Sequence, residues 1–233
     1  FADYSTGNDT DAFKLGGYYQ VNDQVSLRAT VQTATRHGSI TELYRGQGSS
    51  LTDLDPDPCG TDPETNIGPS YTQAQCANTG LPASLYGSDL KSPADQYNIL
   101  TGGNPNLVPE ESESTTIGIV LTPDAIPGLT LTLDYFDIVV EDKIGTIPAS
   151  TSLKNCLETG NPTFCNLIER DPIAGTLWVS PGQIITTNTN VAEESMTGFD
   201  LIFDYMLETG LGPIDIKGIT TFTESNELTV MPG

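Results

Sequence analysis

The strongest constraint on this chain is a period-two alternation of apolar and polar residues that recurs in separate stretches, each bounded by turn-forming residues. In VSLRATVQTATR, Val25, Leu27, Ala29 and Val31 fall on one face and Ser26, Arg28, Thr30 and Gln32 on the other, as in a strand whose faces meet different environments. Phe13, Leu15 and Tyr19 alternate with Lys14, Gly16 and Tyr18 just before it, and the VNDQ segment at 21–24 carries hairpin-turn chemistry. Residues 11–36 therefore read as a hairpin. Further strands are expected over Thr115–Leu121, Leu129 to about Asp142, Gly198–Leu207 and Ile214 to about Glu224. In LTLTLDY the apolar set is Leu129, Leu131, Leu133 and Tyr135, and in GFDLIFDYML it is Phe199, Leu201, Phe203, Tyr205 and Leu207. Beyond Tyr135 the apolar phase passes to Phe136, Ile138 and Val140, which predicts a bulge or a change of surroundings.

The six strands are joined in the order short, long, short, long, short. The short joints at 21–24, 122–128 (TPDAIPG) and 208–213 (ETGLGP) are rich in Pro, Gly, Asn and Asp, whereas 37–113 and about 143–190 are long and irregular. Compact soluble domains seldom contain such connections. An outer-membrane barrel requires them, with short periplasmic turns and long extracellular loops. Several strands reach about 9 to 13 residues, close to the roughly 9 to 11 that cross a bilayer at a tilt. The fold class expected is all-β: about six antiparallel strands in a transmembrane barrel wall. Its apolar face would meet lipid, and Arg28, Gln32, Asp134, Asp200, Asp204, Asp215 and Lys217 would line a wet lumen.

Composition agrees. Aromatics are 7%, and Gly (23) and Pro (16) are plentiful, which disfavours a large helical core. With 31 acidic against 9 basic side chains and a net charge of -22, nucleic acid is an unsuitable partner. No stretch approaches 18 apolar residues and no basic segment leads into an apolar one at the N-terminus, so neither a spanning helix nor a signal peptide is expected.

Two stretches, GGNPNLVPEESESTTIGIVLTP (102–123) and PGLTLTLDYFDIVVEDKIG (127–145), resemble TonB-dependent outer-membrane receptors. There a Gly-Asn-Pro-x-Leu-x-Pro-Glu segment returns from an extracellular loop into a descending strand, turns through Pro-Gly and rises again. LRATVQTATRHGSITELY (27–44) is similar to a further strand of the family, with Arg36, His37 and Gly38 where Arg-Ala-Pro is common. The resemblance implies a barrel of about 22 strands, a plug domain and a TonB-engaging segment. Neither of the last two is identifiable, so residues 1–233 read as part of the C-terminal half of such a barrel. It also implies a bacterial outer-membrane location, lipid and lipopolysaccharide around the wall, TonB engaged through the N-terminal part, and a scarce nutrient as ligand: siderophore, cobalamin, saccharide or peptide.

The candidate ligand contacts are the lumen-phase Arg28, Gln32 and Arg36, and Tyr44, Arg45 and Trp178 in the long loops, where aromatics can grip a ligand. Singly, such aromatics are more often packing residues; the same holds for Tyr71 and Tyr86. Glu110, Glu111 and Glu113 read as a solvated rim rather than a cation contact. Cys59, Cys76, Cys156 and Cys165 all lie in the long loops and allow three pairings. Local closure favours Cys59 with Cys76 and Cys156 with Cys165. Residues 150–169 are expected to hold two helical turns separated by Gly160, Asn161 and Pro162.

Asp53, Asp55 and Asp57 mimic the start of a calcium loop, but Pro58 stands where the sixth-position Gly belongs. No metal site and no cofactor are expected. No catalytic motif is present, and the single histidine, His37, reads as an exposed loop residue; the protein is not expected to be an enzyme. The competing architecture is a secreted or cell-surface β-sandwich or adhesin module. It would bury the apolar phase against a second sheet.

Overall fold

The computed structural model describes residues 2–3, 9–210 and 212–230. Leu211, in the predicted 208–213 turn, and the Met231–Gly233 end lie outside the described residues. In chain order the elements are β1 (Ala2–Asp3), β2 (Asp9–Thr10), β3 (Phe13–Asn22), β4 (Val25–Arg36), α1 (Ile40–Tyr44), β5 (Gly48–Asp53), α2 (Gln73–Ala77), a 3-10 turn (Ala83–Leu85), β6 (Gln96–Thr101), β7 (Glu110–Leu121), β8 (Leu129–Gly145), α3 (Ala149–Thr159), α4 (Pro162–Cys165), β9 (Ile168–Glu169), β10 (Gln183–Ile185), β11 (Thr189–Thr209) and β12 (Gly212–Val230). They fall into two compact units. One holds the residues up to His37 with Val108–Lys143 and Ala192–Thr229, and the other holds Gly38–Leu107 and Ile144–Val191.

The first unit contains an open six-stranded sheet of order β12-β11-β8-β7-β4-β3 and the separate two-stranded pair β1-β2. β3 with β4, β4 with β7 and β7 with β8 are antiparallel. The predicted hairpin forms: Asn22 caps the turn by accepting from Gln24 N–H at 2.9 Å. Its apolar phase stays exposed, with Leu27 at 44% and Val31 at 42%, and so does Ile117 on β7. Leu133, Phe199, Leu201 and Phe203 are exposed as well. Each such side chain left in water forgoes about 1.5–3 kcal/mol of burial energy. Rows of them on one face are stable only against an apolar surrounding, as on the lipid side of a barrel. No second sheet covers these rows among the described residues.

On this face the apolar run ends at Phe13 on β3, Val31 on β4 and Ile117 on β7, where Asp11, Thr33 and Thr115 follow; on β8 Asp137 follows Tyr135 and Val139 is apolar again. Through the ladder Phe13 pairs with Thr33, Val31 with Thr115, and Ile117 with Tyr135. Tyr135 and Phe199 pack against each other at a tilt on this face, ring centroids 5.2 Å apart.

Every strand but the first hairpin's runs further than the alternation foretold. β7 begins at Glu110 rather than Thr115, because EESES pairs residue for residue with Gln32, Thr33, Ala34, Thr35 and Arg36 although both of its faces are polar. The bulge expected after Tyr135 is absent: β8 pairs one to one with β7 from Leu131 to Glu141. Phe136, Ile138 and Val140 therefore stay on the face of Asp134, and the wall's inner surface is apolar there, with Phe136 buried. The backbone irregularity comes later, at Asp142, where φ is 52°.

The second unit overturns the expectation of irregular loops. Residues 38–107 and 144–191 build a mixed sheet of order β5-β6-β10-β9, in which β6 and β10 are parallel. Their core contains Leu90, Tyr97, Leu157, Leu177 and Ile184 together with the half-cystines Cys59, Cys76 and Cys156. Capping boxes at Ser39/Glu42 and Thr72/Gln75 start α1 and α2. The expected helical turns appear as α3 and α4, with Gly160 closing the first and Asn161 capping the second.

Candidate functional site

On the polar face of the sheet, the row Tyr18, Arg28, Gly118 and Asp134 runs straight across four strands. Arg28 reaches over Gly118 to Asp134, donating Nε–H to Oδ1 at 2.8 Å and pairing through Nη2 with Oδ2. A Cβ on residue 118 would stand 1.8 Å from that Oδ1, so the pair forms only because Gly118 has no side chain. Arg36 makes the equivalent fork with Glu110, at 2.5 and 2.8 Å, directly across the ladder. Glu110 is buried, so it is not the solvated rim residue the sequence suggested; Glu111 and Glu113 stay nearer the surface. His37 is buried too, at 7% exposure, rather than exposed.

Gln32 lies beside Lys14, its direct neighbour across the hairpin. These two line a cleft of about 270 Å³ with Arg28 and the hydroxyls of Thr30, Ser114 and Thr116. Two of the three wall residues singled out from phase, Arg28 and Gln32, are thus brought together, and Arg36 is held apart in its own pair. Lys14 was readable by the same phase, since it alternates with Phe13 and Leu15.

The second unit is held by groups far apart in sequence. Cys59–Cys76 and Cys156–Cys165 are disulfides, the local pairing expected. Each ties only its own segment. The two segments are joined by the β6–β10 pairing, by their shared core and by the buried pair of Arg170 and Asp57, with Nη1–H to Oδ2 at 2.6 Å and side chains 1% and 0% exposed. Arg170 also donates to Thr79 Oγ1 and Gly175 O, both at 2.8 Å, so its charge is fully matched. Asp57, third of the calcium-like aspartates, has therefore become an arginine partner. On the surface, Glu64 N–H and Thr65 hold the Asp62 carboxyl below the usual carboxylate range, and Glu64 and Asp62 raise Lys91 above its ordinary value.

A cavity of about 750 Å³ opens in this unit. Arg45, Asp53 and Asp55 provide its charges, and Leu54, Ile99 and Ile147 its apolar wall. Arg45 is placed by the GGNP motif. Gly103 N–H donates to Arg45 O at 2.8 Å, and a Cβ at 103 would lie 2.7 Å from Arg45 N. Of the loop aromatics, Tyr44 is exposed. Trp178 packs against the core and donates Nε1–H to Leu90 O at 3.2 Å, Tyr71 donates to Glu158, and Tyr86 to Tyr71 O. The cavity therefore collects Arg45 but neither Tyr44 nor Trp178; its aspartates carried no sequence signal beyond their spacing.

The family described as TonB dependent receptor-like, beta-barrel, matches residues 1–227. No curated protein matches the chain by sequence. Among solved structures, a variant of the ferric enterobactin receptor PfeA from Pseudomonas aeruginosa in complex with enterobactin is similar with a TM-score of 0.52 at 15% identity, over 92% of this chain and 22% of that one. The siderophore receptor PirA from Acinetobacter baumannii is similar with a TM-score of 0.52 at 16% identity, over 95% of this chain and 24% of that one. At such identities the likeness is one of fold. The chain spans less than a quarter of the length of these two receptors.

Proposed function

We propose, for a chain that belongs to the TonB-dependent receptor β-barrel family, that its first unit is barrel wall and its second a ligand-capturing mouth of a receptor for energised uptake of a scarce nutrient. The family's proteins are outer-membrane proteins of Gram-negative bacteria, transport receptors rather than enzymes. The observation that carries the reading is the contrast between faces: apolar rows exposed on one side of the sheet, and Arg28, Lys14, Gln32 and their hydroxyl neighbours on the other. Arg36 at the end of β4, Glu110 at the start of β7 and Glu141, where the β7–β8 pairing stops, lie at one end of the strands, and 38–107 and 144–191 form a single unit. A mouth built this way contributes Arg45 and the cavity residues, and the wall contributes Arg28 and Gln32; the TonB complex would act through parts of the receptor outside this chain.

The test is nutrient accumulation by cells carrying the intact receptor, with and without TonB. Uptake that needs TonB and disappears when 38–107 is replaced by a short linker supports the reading. Uptake indifferent to both overturns it.

A further inference from the structure

Among the described residues, β5 forms a free edge of the second unit's sheet. Thr186 N–H donates to Leu100 O and Asn98 N–H to Leu177 O, so Asn98 and Leu100 turn their main-chain groups away from β5. Tyr97, Ile99 and Thr101 turn theirs toward it, onto Thr52, Ser50 and Gly48. The intervening Ser49, Leu51 and Asp53 therefore present N–H and C=O outward, and no turn or loop bond among the described residues uses them.

Proteins usually blunt such an edge with lysine, proline, a bulge or brevity. β5 has six residues in unbroken register and none of those devices. Its first three residues, Gly48, Ser49 and Ser50, are small and exposed, leaving the backbone open. The strand then runs into the wall of the cavity at Thr52, Asp53, Leu54 and Asp55. Asp53 and Asp55 are exposed and in no ion pair among the described residues. The charge around them is one-sided: 38–107 and 144–191 hold eleven acidic and four basic side chains, and of the four, Arg170 and Lys91 are already paired.

We propose that the free edge of β5 docks a short, positively charged peptide, which adds as a further strand on Ser49, Leu51 and Asp53 and sets its cations against Asp53 and Asp55. Strand addition supplies affinity through the main chain, and the aspartates supply selection by charge. This rests on reading the chain as part of a nutrient receptor, and narrows the nutrient to peptide.

The probe is a fluorescent peptide of alternating lysine and valine, titrated onto the intact receptor in detergent. Comparators are its glutamate–valine counterpart and a version N-methylated at alternate backbone positions. Leu51→Pro removes an outward N–H without touching a bond to β6, and Leu51→Ala keeps that N–H. The expected result is binding of the lysine peptide that weakens with salt, about tenfold or greater loss on N-methylation and in Leu51→Pro, and near-native affinity in Leu51→Ala. Equal binding of the methylated or glutamate peptide, or equal losses in the two Leu51 variants, overturns the proposal. Cell uptake is scored separately. TonB-dependent accumulation of some nutrient without lysine-peptide binding sinks the peptide inference and leaves the receptor reading; peptide binding without accumulation does the reverse.

Discussion

The two units solve the burial problem in opposite ways. In the wall, the residues most hidden from solvent are largely polar, namely Ser26, Thr132, Asp134 and Glu110, while Leu27, Ile117 and Phe222 lie exposed. In the second unit Leu90, Leu157, Leu177 and Ile184 are sealed inside. The wall takes its cohesion from a continuous ladder and from lipid; the other unit, built from two segments with little regular structure, takes it from an apolar core, two disulfides and one buried ion pair. The lesson is that apolar residues carry no intrinsic address. The same leucine stabilises by facing in or out, according to what surrounds the sheet.

The sharpest way to break this contrast is at Asp57. Asp57→Ala leaves Arg170 charged and buried, and is expected to destabilise the second unit by about 3–5 kcal/mol. Amide hydrogen exchange should rise throughout 38–107 and 144–191 with β4, β7 and β8 unchanged; matching loss in the wall would mean that the units are not separate. The reciprocal lesion is Leu201→Arg, expected to cost about 2–4 kcal/mol in unfolding from lipid vesicles. Gln32→Arg, on the opposite face, should stay within about 0.5 kcal/mol. Similar costs for the two would remove the assignment of faces. Gly118→Ala pushes a methyl into the Arg28–Asp134 pair and is expected to cost about 1–3 kcal/mol, checked by the same unfolding measurement.

The smallest effect concerns acid. Because Glu64 N–H, the first cause, and then Thr65 and Lys91 depress Asp62, its contribution is present above the ordinary carboxylate pKa. It is lost as pH falls through the lowered value. Faster exchange at Asn66, whose N–H donates to Asp62 O, is expected only at strongly acid pH, whereas Lys91, raised, loses its contribution as pH climbs through its elevated value.

Much of the wall was legible because alternation is a local property: the pleat forces neighbouring side chains to opposite faces, and two unlike environments then write themselves into the sequence. Where the environments converge the writing stops, which is why Glu110–Ser114 and the far ends of β11 and β12 escaped notice. The apolar phase that passes to Phe136 and Ile138 beyond Tyr135 marks a change of surroundings and not a bulge. At the candidate site, phase singled out Arg28 and Gln32 and passed over Lys14, and no local pattern could separate Trp178 as a packing residue from Arg45 as a cavity residue.

The sequence by itself determined the strands of the wall, the face each turns to lipid and, through short loop closure, the disulfide pairs. Only the tertiary structure decided that Arg28 meets Asp134 across 106 residues, that Asp57 answers Arg170 across 113, that β6 and β10 run parallel, and that β5 is left with an open edge. Period and loop length act within one element or one turn, whereas these partnerships depend on how separate ladders come into register, which no single stretch of the chain encodes.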